Sequence, residues 1–277
     1  MNYGKLYLVA TPIGNLGDIS QRALDTLNMS DLVACEDTRH SLKLFNHFGI
    51  VKPLTSYFEH NKKEKGEYII SQLKEGKNVS LVTDAGTPAI SDPGEDLVKM
   101  CIEEDIEVIS VPGSCALINA LIVSGQITGR FCFEGFLSVN KKSRKEHLES
   151  LINEKRTMIF YEAPHKLIRT LEDMASVFGD RPVTLVRELT KLHEEKLHTT
   201  LLGALKHYED ILPKGEYVIV LAGATEEKDT SQYESISIKE HVDSLIKDGL
   251  NKKDAIRETA KQRGISRRDV YNEYERS

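Results

Sequence analysis

At 277 residues with a formal net charge of −6, the chain is long enough for two lobes with sizeable cores and too acidic to hold nucleic acid through bulk charge. No run reaches bilayer-spanning length, and Met1 to Lys5 lead into an apolar run without a signal-peptide pattern, so a cytoplasmic protein is expected. Cys35, Cys101, Cys115 and Cys132 are scattered, with no Cys-x-x-Cys spacing and no histidine at metal-ligand spacing, and read as buried thiols in a reducing compartment with no metal.

Leu6 to Ala10 is a short apolar run that ends in the turn Thr11-Pro12-Ile13-Gly14-Asn15-Leu16-Gly17-Asp18, and Ala23, Leu24 and Leu27 then have helical spacing. Leu32 to Cys35 repeats the strand, Glu36-Asp37-Thr38-Arg39 the turn, and Leu42, Leu44, Phe45 and Phe48 the helix, which Gly49 can end. A third unit has a strand at 53–56, the polar cluster Glu59-His60-Asn61 and a helix through Tyr68, Ile69, Ile70 and Leu73. Val79 to Val82 then enters the stretch Thr83 to Gly94, whose prolines, glycines and aspartates cannot continue a strand or a helix. Ser91 or Asp92 can cap the helix that follows. Val108 to Val111 is the fifth strand, before Pro112-Gly113-Ser114 and a helix through Ala116, Leu117, Ala120 and Leu121.

Alternating strands and helices imply a mostly parallel sheet covered on both faces, with all its βα turns at one edge. The turns 12–17, 84–88 and 112–114 should therefore line one crevice. Neither the triphosphate-binding nor the dinucleotide-binding glycine pattern is present, and none of the three turns carries Lys or Arg. A neutral-to-acidic pocket suits a compact zwitterion or a cation better than a polyphosphate.

A second lobe starts near 125–130 with Phe131 to Phe136. Asn140 to Lys145 reads as a basic loop leading into a helix with Leu148, Leu151 and Ile152, and Lys141, Lys142 and Arg144 read equally as a solvated helix start or as RNA phosphate contacts. Strands are expected at 157–161, 183–187, 196–200 and 217–221, with helices at 166–178 and 202–212, in a partly antiparallel sheet. Arg187, Glu188 and Lys191 end an apolar strand as a salt-bridged terminus or a cleft wall, and Pro213 to Tyr217 is either a cover for that cleft or a plain turn. Thr225 to Gln232 reads as a linker. Between Leu250 and Val270 seven Lys or Arg, among them Lys252, Lys253, Arg267 and Arg268, stand against three acids. Ala260, Gly264, Ile265 and Val270 there fit the small, turn and buried positions of a helix-turn-helix. Such a pair is an RNA-binding or a packing module, and the local charge favours RNA.

Thr11 to Leu16, Cys35-Glu36-Asp37-Thr38-Arg39, Asp84-Ala85-Gly86-Thr87-Pro88, Val111-Pro112-Gly113-Ser114 and Phe160-Tyr161-Glu162-Ala163-Pro164-His165 occur in one order. Together, over Leu6 to about Ala222, they resemble the small-subunit ribosomal RNA 2′-O-ribose methyltransferases of the tetrapyrrole-methylase superfamily. The resemblance implies a two-lobed α/β enzyme; the residue pattern sets the lobes at 1–125, with a mostly parallel sheet, and 126–224, with a mixed one, and adds a linker and small helical domain at 225–277. The resemblance also implies S-adenosylmethionine in the cleft, a homodimer, and a decoding-centre cytidine of 16S rRNA in the small ribosomal subunit as acceptor. One departure is Lys166, where the family often has Arg after Pro-His; Lys offers a point charge instead of a bidentate fork.

On this resemblance Pro12, Gly14, Asp84, Gly86, Thr87, Pro88, Ile90, Ser114, Ala116 and Tyr161 are the expected cofactor-binding residues. The ribose-orienting and proton-removing groups are sought among Arg39, Glu59, His60, Glu162, Arg187 and Lys191, with Glu36, Asp37, Asn61, His165 and Glu188 beside them. Arg39, Arg187 and Lys191 could hold phosphates flanking the target. The methyl donor is already activated, so holding the reactants in line, worth roughly 7 to 11 kcal/mol in favourable cases, outweighs any one base. The competing readings are a methylase of a small molecule such as a tetrapyrrole, or of a modified protein side chain, and a non-catalytic RNA-binding module.

Overall fold

In the computed structural model, which describes residues 3–225, 236–263 and 265–276, the chain forms two units, residues 1–224 and 225–277. The first unit contains two sheets. Leu6–Val9 (β1), Leu32–Cys35 (β2), Leu54–Ser56 (β3), Val79–Val82 (β4) and Val108–Val111 (β5) make one, in the order β3-β2-β4-β1-β5 with every pair parallel. All four residues of β2 and of β4 are buried, as strands covered on both faces require. Its covering helices are Gln21–Met29 (α1), Thr38–Phe48 (α2), Lys62–Lys74 (α3) and Gly94–Glu103 (α4). The Ser20 hydroxyl caps α1 by accepting the Ala23 N–H, and the Asp37 carboxylate caps α2 by accepting the Arg39 N–H. Ile69 and Leu73 of α3 and Leu97 of α4 pack with Leu81 of β4 in one apolar core, all at or near zero exposure; burying each such side chain contributes roughly 1.5–3 kcal/mol.

Ala116–Val123 (α5) leaves this sheet. Its Leu117, Ala120 and Leu121 pack on Ile159, Val186, Val218 and Val220 of the second sheet. That sheet has the order β6-β7-β10-β8-β9, built from Phe131–Phe136 (β6), Thr157–Glu162 (β7), Pro182–Arg187 (β8), Glu195–Thr200 (β9) and Tyr217–Leu221 (β10). Only β6 and β7 run parallel; the other three pairs are antiparallel. Its other face is covered by Lys141–Ser150 (α6), Leu167–Phe178 (α7) and Leu201–His207 (α8) around Phe160, Leu171, Met174 and Leu185. The fold is thus the α/β class read from the sequence, with a parallel and a mixed sheet.

Three local expectations need correction. The basic stretch before Leu148 is not a loop: Asn140 caps the helix by accepting the Lys142 and Ser143 N–H groups, so Lys141 to Lys145 are already helical. The helix expected over 202–212 ends at His207, well ahead of Pro213. Cys35 and Cys101 are buried, but Cys115 and Cys132 are only half-buried.

The second unit, described by itself, is a helical domain of Ile238–Lys247 (α9), Lys252–Arg263 (α10) and Arg267–Arg276 (α11). A capping box starts α9: Ser237 Oγ accepts the Glu240 N–H and the Glu240 carboxylate accepts the Ser237 N–H. Val242, Ala255, Ile256, Ala260 and Val270 form its core. Ile265, expected to be buried, is 38% exposed. Gly264 and most of the expected linker at 225–232 lie outside the described residues.

Candidate functional site

Parallel order brings the ends of β1, β2, β4 and β5 to one edge, and the loop after β4 is the wall around which the others gather. Ala89 and Ser91 adopt left-handed backbone conformations (φ 66° and 61°), unusual for residues with a Cβ. The Asp92 carboxylate holds that path by accepting the N–H groups of Ala89 (3.0 Å), Ile90 (3.2 Å) and Gly94 (2.7 Å). Thr11 and Gly86 exchange a pair of backbone hydrogen bonds of 2.8 and 3.1 Å, and the Thr87 hydroxyl donates to the Ser114 carbonyl at 2.9 Å. The Asp37 N–H donates to Asp84 Oδ1 at 3.1 Å. Four strand ends are thereby stitched into one rim. Gly86 (φ 87°) is needed here, because a Cβ would press within 3.1 Å of Ile13.

The facing wall comes from the second sheet. Glu188 and Thr190 are again left-handed (φ 50° and 67°). The Lys191 ammonium donates to Glu188 Oε1 and to Glu216 Oε2, each at 2.9 Å, and Glu188 Oε1 also accepts the Glu216 N–H. Burial alone would raise the Glu188 pKa, but that N–H and the Lys191 charge outweigh it and leave the carboxyl below its usual range. Four of the five non-glycine residues with positive φ among the described residues therefore lie in the two opposed loops. At β7, Tyr161 Oη accepts the Leu117 N–H at 3.1 Å, and Glu162, 3% exposed, accepts the Ala163 N–H and the Thr170 hydroxyl.

Between the walls lies a cleft of about 640 Å³, within the size range of small-molecule sites. Its lining includes five acidic residues, Glu36, Asp84, Asp92, Glu162 and Glu216, against one lysine, Lys191. Glu36 keeps solvent access, yet desolvation of its carboxyl, followed by the charges of Asp84 and Asp92, raises its pKa; the Thr83 hydroxyl opposes part of that. Ile13, Ile90, Phe136, Val186 and Leu189 supply apolar surface. An acidic, partly apolar cleft with exposed backbone groups fits a zwitterion that carries a positive centre.

Of the residues expected to bind a cofactor, Asp84, Gly86, Thr87, Ile90, Ala116 and Tyr161 line the cleft. Pro12, Gly14, Pro88 and Ser114 do not, although Ser114 receives the Thr87 bond and Gly14 packs on Lys191. Among the candidate reacting groups, Glu36, Glu162, Lys191 and His165 line it. Arg39, Glu59, His60 and Arg187 stand outside its lining, each for a visible reason. The Arg39 side chain is 89% exposed and forked onto the Asp37 carboxylate. Glu59 pairs with Lys62, His60 meets the Phe58 ring edge-on, and Arg187 pairs with Glu195 at 3.1 Å.

The expected RNA contacts divide similarly. Lys141 and Lys142 are exposed on α6, whereas Arg144 is 3% exposed and bonded through Nε to Asp173 at 2.6 Å, so it is not part of that helix's exposed basic face. Lys253, Arg267 and Arg268 are exposed in the second unit, and Lys252 is tied to Glu275 at 2.6 Å. Sequence reasoning offered Asp92 as a cap for α4, which its bond to the Gly94 N–H bears out, but missed its hold on Ala89 and Ile90, and it missed Phe136 and Val186 as lining.

A family model described as Tetrapyrrole (Corrin/Porphyrin) Methylases matches residues 5–205. Ribosomal RNA small subunit methyltransferase I of Synechocystis is 48% identical over 269 residues, covering 97% of this chain and 96% of that protein. The protein of the same name from Bacillus subtilis is 44% identical over 274 residues, covering 98% and 94%. Among solved structures, a uroporphyrin-III C-methyltransferase of Thermus thermophilus complexed with S-adenosyl homocysteine superposes with a TM-score of 0.56 at 16% identity, covering 78% of this chain and 97% of that one. A diphthine synthase gives 0.59 at 15% identity, covering 79% and 90%. At such identities the structural likeness speaks for the fold.

Proposed function

Because the chain belongs to the tetrapyrrole methylase family, and within it to the ribosomal RNA small subunit methyltransferases I, we propose that it methylates the ribose 2′-oxygen of a cytidine in small-subunit rRNA, using S-adenosylmethionine. The observation that carries the reading is the acidic cleft of about 640 Å³ walled by two strained, hydrogen-bonded loops, in a chain matched over nearly its whole length by rRNA methyltransferases. The donor fits that cleft: Gly86, Thr87, Ile90 and Ala116 offer backbone and apolar contacts, while Asp84 and Glu36 favour its cationic end. When bound, S-adenosylmethionine supplies an electrophilic methyl group on a sulfonium.

The chain's own residues do the rest. Asp92 keeps the loop wall in shape and Lys191, held by two carboxylates, fixes the opposite wall, so the acceptor meets a pre-formed site. Glu36 is the group we assign to proton removal, because it lines the cleft while keeping solvent access, with only the Thr83 hydroxyl, among the described residues, on its carboxylate. We assign RNA contacts to Arg39, exposed beside Asp37, and to the exposed Lys141 and Lys142, and, within the second unit taken by itself, to the exposed Lys253, Arg267 and Arg268. Action on the ribosome agrees with a cytoplasmic enzyme, and no helix among the described residues is long and apolar enough to cross a membrane. We also propose a homodimer.

The test is transfer of label from methyl-labelled S-adenosylmethionine to assembled small subunits, naked small-subunit rRNA and a tetrapyrrole, followed by mapping. Label in a cytidine ribose of the small-subunit RNA is the expected result. Label confined to the tetrapyrrole, or to an rRNA base, overturns the reading.

A further inference from the structure

Next to the cleft, and sharing Glu162 and His165 with it, lies a second cavity of about 260 Å³ at the start of α7. Arg144, Lys166 and Arg169 line it. Arg144 is 3% exposed; its Nε donates to Asp173 and its Nη1 to the carbonyls of Ser138 (2.9 Å) and Val139 (3.2 Å), but its Nη2 is buried and donates to nothing. A buried guanidinium N–H without an acceptor costs about 1–3 kcal/mol, more for a charged group, unless something fills it. Lys166 and Arg169 stand at the same cavity with no carboxylate in ion-pair range among the described residues. The single opposing charge in the lining is Glu162, and its two oxygens are already engaged by the Ala163 N–H and the Thr170 hydroxyl. The α7 N-terminus, which has no side-chain cap, adds the positive end of a 12-residue helix.

We propose that this cavity is a phosphate subsite that takes a backbone phosphodiester of the RNA acceptor, next to the nucleotide held in the cleft; the assignment of RNA rests on the function proposed above. Lys166, Arg169 and the unpartnered Nη2 of Arg144, whose Nε is already met by Asp173, stand against one occupied carboxylate and favour an anion. The competing source of an anionic group is the carboxylate of the methyl donor itself.

The decisive variant is the full-length Lys166→Ala/Arg169→Ala double substitution, which spares the buried Arg144. Affinity for small-subunit rRNA, measured over a salt series, should fall at least tenfold, and the slope of log affinity against log salt should become shallower by about 0.7 to 1 per lost phosphate contact. Affinity for S-adenosylmethionine by calorimetry and the melting temperature should stay at wild-type values, and Lys166→Arg/Arg169→Lys should restore RNA binding. Unchanged RNA affinity and slope overturn the subsite, as does a loss of S-adenosylmethionine affinity with RNA binding intact. If the wild-type protein binds no rRNA, the functional reading fails by itself, and inorganic phosphate then decides the cavity. Stabilisation of the wild type over chloride at equal ionic strength, absent in the double variant, supports an anion site; equal melting temperatures overturn it.

Discussion

Gly14 of the first loop lies directly against Lys191 of the second sheet: a Cβ at position 14 would collide with Lys191 Cγ and come within 2.9 Å of Thr190 Oγ1. The two walls of the cleft are therefore in contact through a residue with no side chain. Lys191 has little room to yield, because Glu188 and Glu216 hold its ammonium at 2.9 Å each. Gly14→Ala should cost about 1–3 kcal/mol of stability, the range for strain at such a position, and weaken S-adenosylmethionine binding about tenfold or more. Calorimetry and a thermal melt check both; wild-type values for the two together would show that the walls part without cost.

Asp92 satisfies three N–H groups of a loop that places two non-glycine residues in left-handed conformations. Hydrogen bonds to a charged group contribute about 1.5–3 kcal/mol each when buried and less here, where the residue is half-buried. Asp92→Ala should weaken cofactor binding at least tenfold while the second sheet stays folded, and Asp92→Asn, which keeps one acceptor oxygen, should fall between. Hydrogen exchange at residues 89–94 should rise in the same order.

Burial pushes the Tyr161 phenol up to about 12 from 10, with the nearby Cys115 thiol adding to the rise and the Leu117 N–H opposing it. A raised folded-state pKa means that this group's contribution to stability is fully present below pH 10 and is lost as pH climbs from about 10 to 12, because the unfolded chain ionises first. Wild-type protein should thus lose stability over that interval faster than Tyr161→Phe does. At neutral pH Tyr161→Phe should be about 1 kcal/mol less stable, since the Leu117 N–H loses its acceptor. Ultraviolet titration of tyrosinate alongside denaturant melts reads both effects.

Arg39 and Arg144 separate two fates that a basic residue can have. Arg39 is a surface fork on Asp37, and it depresses that carboxyl to about 2. The stabilisation from this depressed pKa is present above the ordinary value of 3.8 and disappears as pH falls through about 2; because the pair is exposed and screened by solvent it is small, and at neutral pH Arg39→Ala should leave the fold intact. It should abolish methyl transfer to small subunits with S-adenosylmethionine affinity retained; wild-type turnover would remove Arg39 from the site.

Arg144→Ala should act in the opposite manner. It strands the Asp173 carboxylate, whose side chain is 27% exposed, and two backbone carbonyls. Breaking a buried pair costs about 3–5 kcal/mol in full burial, and the partial solvation of Asp173 reduces that to about 2–3 kcal/mol. At about 2–4 °C per kcal/mol for a chain of this size, the melting temperature should drop by roughly 4–12 °C. Lys141→Ala on the same helix should leave it in place.

Much of the architecture is legible residue by residue. Leu32 to Cys35 and Val79 to Val82 are short apolar runs bounded by turn residues, and a strand buried on both faces leaves that trace in any sequence. The end of α8 is not, because Tyr208 is buried against Tyr217 like a helical residue although the helix has stopped at His207. Arg144 escapes sequence reading for a related reason: a lysine-rich stretch conceals one member that faces inward, and only its Asp173 partner, 29 positions away, turns it there.

By itself the sequence determined the alternation of strands and helices and the three glycine- and proline-rich turns at one sheet edge. Those are properties of local chain chemistry and of spacing, which do not depend on how the two sheets meet. Which polar side chains face the cleft was decided by tertiary structure. Asp92, Glu36 and Lys191 reach it while Glu59, His60 and Arg187 turn to ion pairs or ring contacts elsewhere, because the choice depends on partners distant in sequence and on the meeting of two sheets. The cavity of Arg144, Lys166 and Arg169 exists only where α6 and α7 converge.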